Sequence, residues 1–90
     1  WSMQLERAFS IVKMPYITEK TFRLIEQENK LSFLVSDDAT KPLVKEAIEL
    51  IYGVKVVKVN IMSTRKGKQA FVKFSDQTPA AELATKLGVL

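Results

Sequence analysis

Residues 57–74 carry two runs of alternating apolar and polar side chains, joined by the basic turn Arg65-Lys66-Gly67-Lys68. A period of two sends successive side chains to opposite faces of a strand, so the pattern predicts an antiparallel hairpin. Val57, Val59 and Ile61 are expected on the core face of its first strand, with Lys58, Asn60 and Met62 opposite. Ala70, Val72 and Phe74 are expected on the core face of the second, with Gln69, Phe71 and Lys73 opposite. Gly67 supplies the positive φ that such a turn needs.

The rest of the chain reads as cover for that sheet. Ala8 to Lys13 has the composition of a short strand, and Pro15 breaks it. Thr18 is a good N-cap for a helix reaching Gln27, with Ile17 and Phe22 at the spacing of a hydrophobic staple. Leu31, Phe33 and Val35 alternate with Ser32, Leu34 and Ser36, which reads as a strand. A helix is predicted from Thr40, with Pro42 in its first turn, a core stripe of Val44, Ala47, Ile48 and Ile51, and Gly53 as its stop. A last helix runs from Thr78 and Pro79, as N-cap and N1, to Lys86, with Gly88 closing it. The order strand–helix–strand–helix–strand–strand–helix predicts a small α+β sandwich with a mostly antiparallel four-stranded sheet. Helices this short are held by packing their apolar stripes on the sheet.

The 90 residues are expected to form a single domain, with Trp1 and Ser2 a non-native remnant before Met3. Cysteine is absent, which excludes disulfide staples and thiolate metal sites. Histidine is absent as well, which removes the usual general base near neutral pH and the commonest metal ligand. No glycine-rich phosphate loop or metal spacing is present, and Asp37-Asp38 is the one adjacent acidic pair, in a turn where Asp is common. These absences argue against an enzyme, and no cofactor or metal is expected. No apolar run approaches the ~20 residues that span a bilayer, so no membrane insertion is expected.

The net charge of +4 conceals an asymmetry. Between Leu50 and Ser75 there are six basic residues (Lys55, Lys58, Arg65, Lys66, Lys68 and Lys73) and no acidic one. A local cationic surface of this kind suits a polyanion, although a merely solvated lysine face has the same composition. The off-core side of the hairpin adds Asn60, Gln69 and Phe71 to those cations. Cations neutralise phosphates, amides read base edges or 2′-hydroxyls, and an aromatic ring stacks on a base. The bland alternative is a helix covering Phe71 and Met62 on that second face. The run Ala70-Phe71-Val72-Lys73-Phe74 also partly matches an RNA-recognition-motif strand, but a lysine replaces its first stacking aromatic.

Longer stretches resemble a known family. Met14-Pro15-Tyr16-Ile17-Thr18-Glu19-Lys20 resembles the P-x-x-[S/T]-E-K opening of large-subunit ribosomal protein number twenty-three. Ala39-Thr40-Lys41 followed by Val44-Lys45-Glu46-Ala47-Ile48 is similar to that family's A-T-K-x-x-[I/V]-K-x-A helix. Val54-Lys55-Val56-Val57-Lys58-Val59-Asn60 resembles its V-x-V-x-x-V-N strand, and Lys66-Gly67-Lys68 with Lys73 its basic hairpin. Leu83-Ala84-Thr85-Lys86-Leu87-Gly88 is similar to the archaeal branch. The matches keep the family's order and cover Pro15 to Gly88. Bacterial members insert a long tunnel-reaching loop in the hairpin, whereas six residues, Ser63 to Lys68, separate the two runs here.

The resemblance implies a structural constituent of the large subunit, in the cytoplasmic ribosome, that binds rRNA beside the polypeptide exit. It implies ribosomal protein number twenty-nine as a neighbour, and the signal recognition particle and secretory translocon as factors docking nearby. The bacterial chaperone trigger factor uses a glutamate that falls at Glu19, an exposed first-turn carboxylate able to meet a partner's arginine; alternatively Glu19 is a surface residue that simply suits the helix dipole. Lys13 and Lys20 are expected to flank the N-terminal turn at the RNA. Lys41 and Lys45 are expected at phosphates, unless Lys45 pairs with Glu49 one turn on. Lys55, Lys58, Arg65, Lys66, Lys68 and Lys73 would form the main footprint, with Asn60, Gln69 and Phe71 between them. Two other functions fit the same residues: an adaptor whose basic hairpin meets an acidic protein, and a general RNA-recognition module.

Overall fold

The computed structural model describes residues 4–65 and 67–88. Trp1, Ser2 and Lys66 therefore lie outside the described residues. The elements are α1 (Leu5–Ile11), β1 (Val12–Pro15), α2 (Glu19–Glu28), β2 (Lys30–Val35), α3 (Lys41–Tyr52), β3 (Val56–Thr64), β4 (Gly67–Phe74) and α4 (Ala80–Lys86). From β1 onward this is the expected order.

The N-terminus differs from expectation. Ala8 to Ile11 belongs to helix α1, and the strand begins at Val12. The deciding pattern is Ala8 and Ile11 three apart, which places both on one helical face; both are buried, and α1 packs on α3. Pro15 is the last residue of β1, so the strand ends at the proline as expected. A proline is tolerated there because β1 is an edge strand.

The four strands form one antiparallel sheet in the order β1-β2-β4-β3. Leu31, Phe33 and Val35 lie opposite Val72, Ala70 and Lys68, and Val59 and Ile61 lie opposite Val72 and Ala70. This face carries the core. Leu31, Phe33, Val35, Val56, Ala70, Val72 and Phe74 are buried on it, in one cluster with Ala8, Ile11, Ile25, Val44, Ala47, Ile48, Ala80, Leu83 and Ala84 of the helices. Tyr52 stacks on Phe33 with ring centroids 6.0 Å apart.

Both edge strands contain a bulge. In β3, Val56 faces Phe74 and Lys58 faces Lys73, which leaves Val57 as the extra residue. Val57 was expected in the core but is 58% exposed, and Val56 takes the buried position. A bulge inserts one residue and shifts the alternation by one, so a strict period of two mispredicts every position before it. In β1 the register breaks at Lys13 in the same way.

The turns follow the predicted caps with one exception. Thr18 and Thr21 form a reciprocal capping box at the start of α2. Gly53 ends α3 in the left-handed region at φ 63°. At α4 the N-cap is Pro79, and Thr78 makes no side-chain cap. The cap comes from Asn29, whose Oδ1 accepts the Ala80 N–H while its Nδ2 donates to the carbonyls of Phe74, Ser75 and Thr78.

Candidate nucleic-acid interface

With the helices gathered on one face, the other face of the sheet stays open. The strand pairings arrange its side chains in three rows. Lys30, Lys73 and Lys58 lie directly opposite one another on β2, β4 and β3. Ser32, Phe71 and Asn60 form the middle row, and Leu34, Gln69 and Met62 the third, extended onto β1 by Met14. Adjacent rows are two residues apart along the strands, about 6.6 Å.

The lysine row is the electrostatic feature. Like charges directly opposite across strands repel, so the arrangement costs stability unless an anion lies over it. Lys30 is neutralised in part by Glu28, Nζ to Oε1 at 3.3 Å. Lys58 and Lys73 are exposed and meet no carboxylate among the described residues. Lys30 was not singled out from the sequence, although it lies two and four residues before Ser32 and Leu34, at the period of the open face. The signal that selects it is the pairing register, which a single chain does not print.

The middle of the face is mixed in character. Phe71 and Asn60 are half-buried and face each other. Met14 and Met62 are 55% and 51% exposed, so no described helix covers the two ends of their row. Gln69 differs from expectation. It is 7% exposed, and its amide donates to Ser32 Oγ at 2.6 Å. A hydrogen bond between two side chains of the same face uses a donor that was expected to meet RNA.

The other expected contacts are distributed around the molecule. Lys55 is exposed in the loop before β3, and Arg65 is exposed at the hairpin turn. Lys68 pairs with Val35 and Ser63 and therefore points to the helix side, away from Lys58 and Lys73. There it contributes, with Arg7, to holding the Asp38 carboxyl below its ordinary value, behind the larger effect of the Ser36 hydroxyl bonded to Asp38 at 2.8 Å. Lys13 is exposed at the β1 bulge, Lys20 in the first turn of α2, and Lys41 and Lys45 on α3. Lys45 has no ion pair with Glu49, whose carboxylate instead accepts the Val56 N–H at 3.0 Å. Glu19 is an exposed first-turn carboxylate paired with Arg23 at 3.3 Å.

A basic open sheet face with one central aromatic matches polyanion binding, and the comparisons with known proteins decide the family. The profile of ribosomal protein L23 matches residues 10–85. The chain belongs to the ribosomal protein L23 family. It is 46% identical over 83 residues to large ribosomal subunit protein uL23 of Methanococcus aeolicus, covering 91% of this chain and 96% of that one. It is 45% identical to the same protein of Methanococcus vannielii, with the same coverage. Membership of the L23 family makes the chain a structural, RNA-associated component of the large subunit in the cytoplasmic ribosome, and the L23 family is not a family of enzymes. No helix among the described residues is long and apolar enough to cross a membrane.

Proposed function

We propose that the chain, folded as one domain, docks on large-subunit rRNA beside the polypeptide exit through the open face of its sheet and its basic hairpin. The observation that carries this reading is the Lys58–Lys73 pair, two exposed like charges directly opposite each other with no counter-charge among the described residues. Lys55, Arg65 and Lys66 extend the footprint along the hairpin, and Asn60 and Phe71 contact sugar or base. Lys13, Lys20, Lys41, Lys45 and Lys68 meet phosphates from the flanks. Gln69, held by Ser32, supports the face from beneath. Glu19, whose exposed carboxylate pairs with Arg23, serves as a docking point for factors that meet the nascent chain, such as the signal recognition particle and the translocon. Ribosomal protein number twenty-nine adjoins the same region.

The test is binding to large-subunit rRNA and to an unrelated structured RNA across a salt series. Four to six phosphate contacts give a slope of log affinity on log salt of about −3 to −5. The reading requires a preference for the large-subunit RNA that persists at high salt. Equal binding to both RNAs refutes an rRNA-specific surface, and affinity for an acidic protein with none for RNA supports an adaptor instead.

A further inference from the structure

We propose, resting on the assignment of the open face to rRNA, that this face takes an unpaired stretch of RNA, with one base stacked on Phe71. The support is the one-sided arrangement of the face. Its cations, Lys30, Lys73 and Lys58, lie on one side of the Phe71 row, and the side chains on the other side are mostly apolar, with Leu34 and Met62 flanking Gln69. A single strand has the same polarity, with phosphates along one side and base faces along the other. The step from Lys73 to Phe71 is about 6.6 Å, close to the reach from a phosphate to its own base. A duplex hides its base faces and presents sugars and phosphates, for which the apolar row has no partner groups.

Asn60 adds selectivity. It lies directly opposite Phe71 on β3 and is half-buried, so its amide stands at the edge of a base stacked on the ring. An amide offers a donor and an acceptor there, where a hydroxyl or a lysine offers less discrimination.

The experiment compares a single-stranded RNA of about ten nucleotides with the same RNA annealed to its complement, a length that spans one such site. The wild-type chain is expected to bind the single strand more tightly. Phe71→Ala should lower that affinity by about 5- to 100-fold and leave the salt slope unchanged, since stacking releases no counterion. Phe71→Trp should retain binding, and its fluorescence should be quenched by the single strand beyond the change seen in the wild type, whose one tryptophan is Trp1. Phe71→Leu, which keeps the apolar volume, separates loss of stacking from loss of folding. Tighter binding of the duplex, or no effect of Phe71→Ala or Phe71→Leu in a folded chain, overturns the proposal. Lys58→Gln with Lys73→Gln tests the underlying RNA surface independently, with a slope smaller by about 1.4 for a single strand. If that double variant loses affinity and the Phe71 variants do not, the RNA surface stands and the unpaired-base site falls. If neither matters, both fall.

Discussion

Asn29 Oδ1 accepts the Ala80 N–H at 2.6 Å, joining positions fifty-one residues apart. Asn29 also takes the left-handed conformation, φ 56°, at the end of α2, and its Nδ2 meets the carbonyl of Phe74 at the end of β4 and those of Ser75 and Thr78 beyond it. Asn29→Ala removes all four bonds and forces a Cβ-bearing residue without a compensating side chain into that conformation. We expect it to destabilise the fold by about 2–4 kcal/mol in chemical denaturation. Asn29→Gly loses the bonds but keeps the conformation, and should cost about 1 kcal/mol less.

The bulge in β3 separates two adjacent valines. Val56 is 2% exposed and Val57 is 58% exposed. Val56→Ala should therefore destabilise by about 1.5–3 kcal/mol, while Val57→Thr stays within about 0.5 kcal/mol of wild type. Reversed effects would mean that the strand runs without its bulge.

Those valines also show where sequence legibility ends. The hairpin, α2, β2, α3 and α4 were each legible because their periodicity and caps are local: Thr18, Gly53 and Gly67 act where they stand. The residues of α1 read as a strand because Ala8, Phe9, Ile11 and Val12 form a short apolar run that suits either state, and packing on α3 decides between them. The bulge was not legible, since one inserted residue is visible only against the partner strand. For the same reason Lys58, Lys73, Asn60 and Phe71 were found as a face, while Lys30 joined them only through the β2–β4 register. Gln69 and Lys68 have the residue types of RNA contacts, but the sheet gives Gln69 to Ser32 and turns Lys68 toward Asp38. Asn29 carries only the local signal of a left-handed helix stop; its capping bonds are not legible, because their partners lie more than forty residues away.

Lys58 and Lys73 couple stability to binding with opposite signs. Lys58→Glu turns a repulsive cross-strand pair into an attractive one. The free protein should gain about 0.5–1 kcal/mol in stability. RNA affinity should fall at the same time, with a salt slope reduced by about 0.7–0.9. Denaturation and filter binding on one preparation measure both effects.

Burial raises the Tyr52 hydroxyl above its ordinary value of 10.0. The folded state thus favours the neutral phenol. Above pH 10 the unfolded chain loses this proton while the native state still holds it, so stability is full below that point and declines as the pH rises beyond it. Tyr52→Phe, which keeps the ring on Phe33, should abolish that alkaline decline in pH-dependent melting.

For Asp38 the direction is reversed. The Ser36 hydroxyl favours the carboxylate, so its contribution is present above the ordinary value of 3.8 and is lost as the pH falls through the lower native value. Ser36→Ala should move the Asp38 titration back upward in carbon-detected NMR.

The two margins of the sheet are unequal, and this bears on self-association. β1 offers four residues, interrupted by the break at Lys13 and by Pro15, which has no N–H to give; β3 offers nine, with its bulge at Val57 near one end and an unbroken run from Lys58 to Thr64. Open-ended stacking of sheets into fibrils needs an accepting margin on each side of every subunit. Here one margin is closed. The nine-residue margin is left only a second copy of itself to pair with, a two-fold contact that stops at two molecules. Pro15, with no N–H to offer at that edge, thus disfavours open-ended growth through the β1 margin.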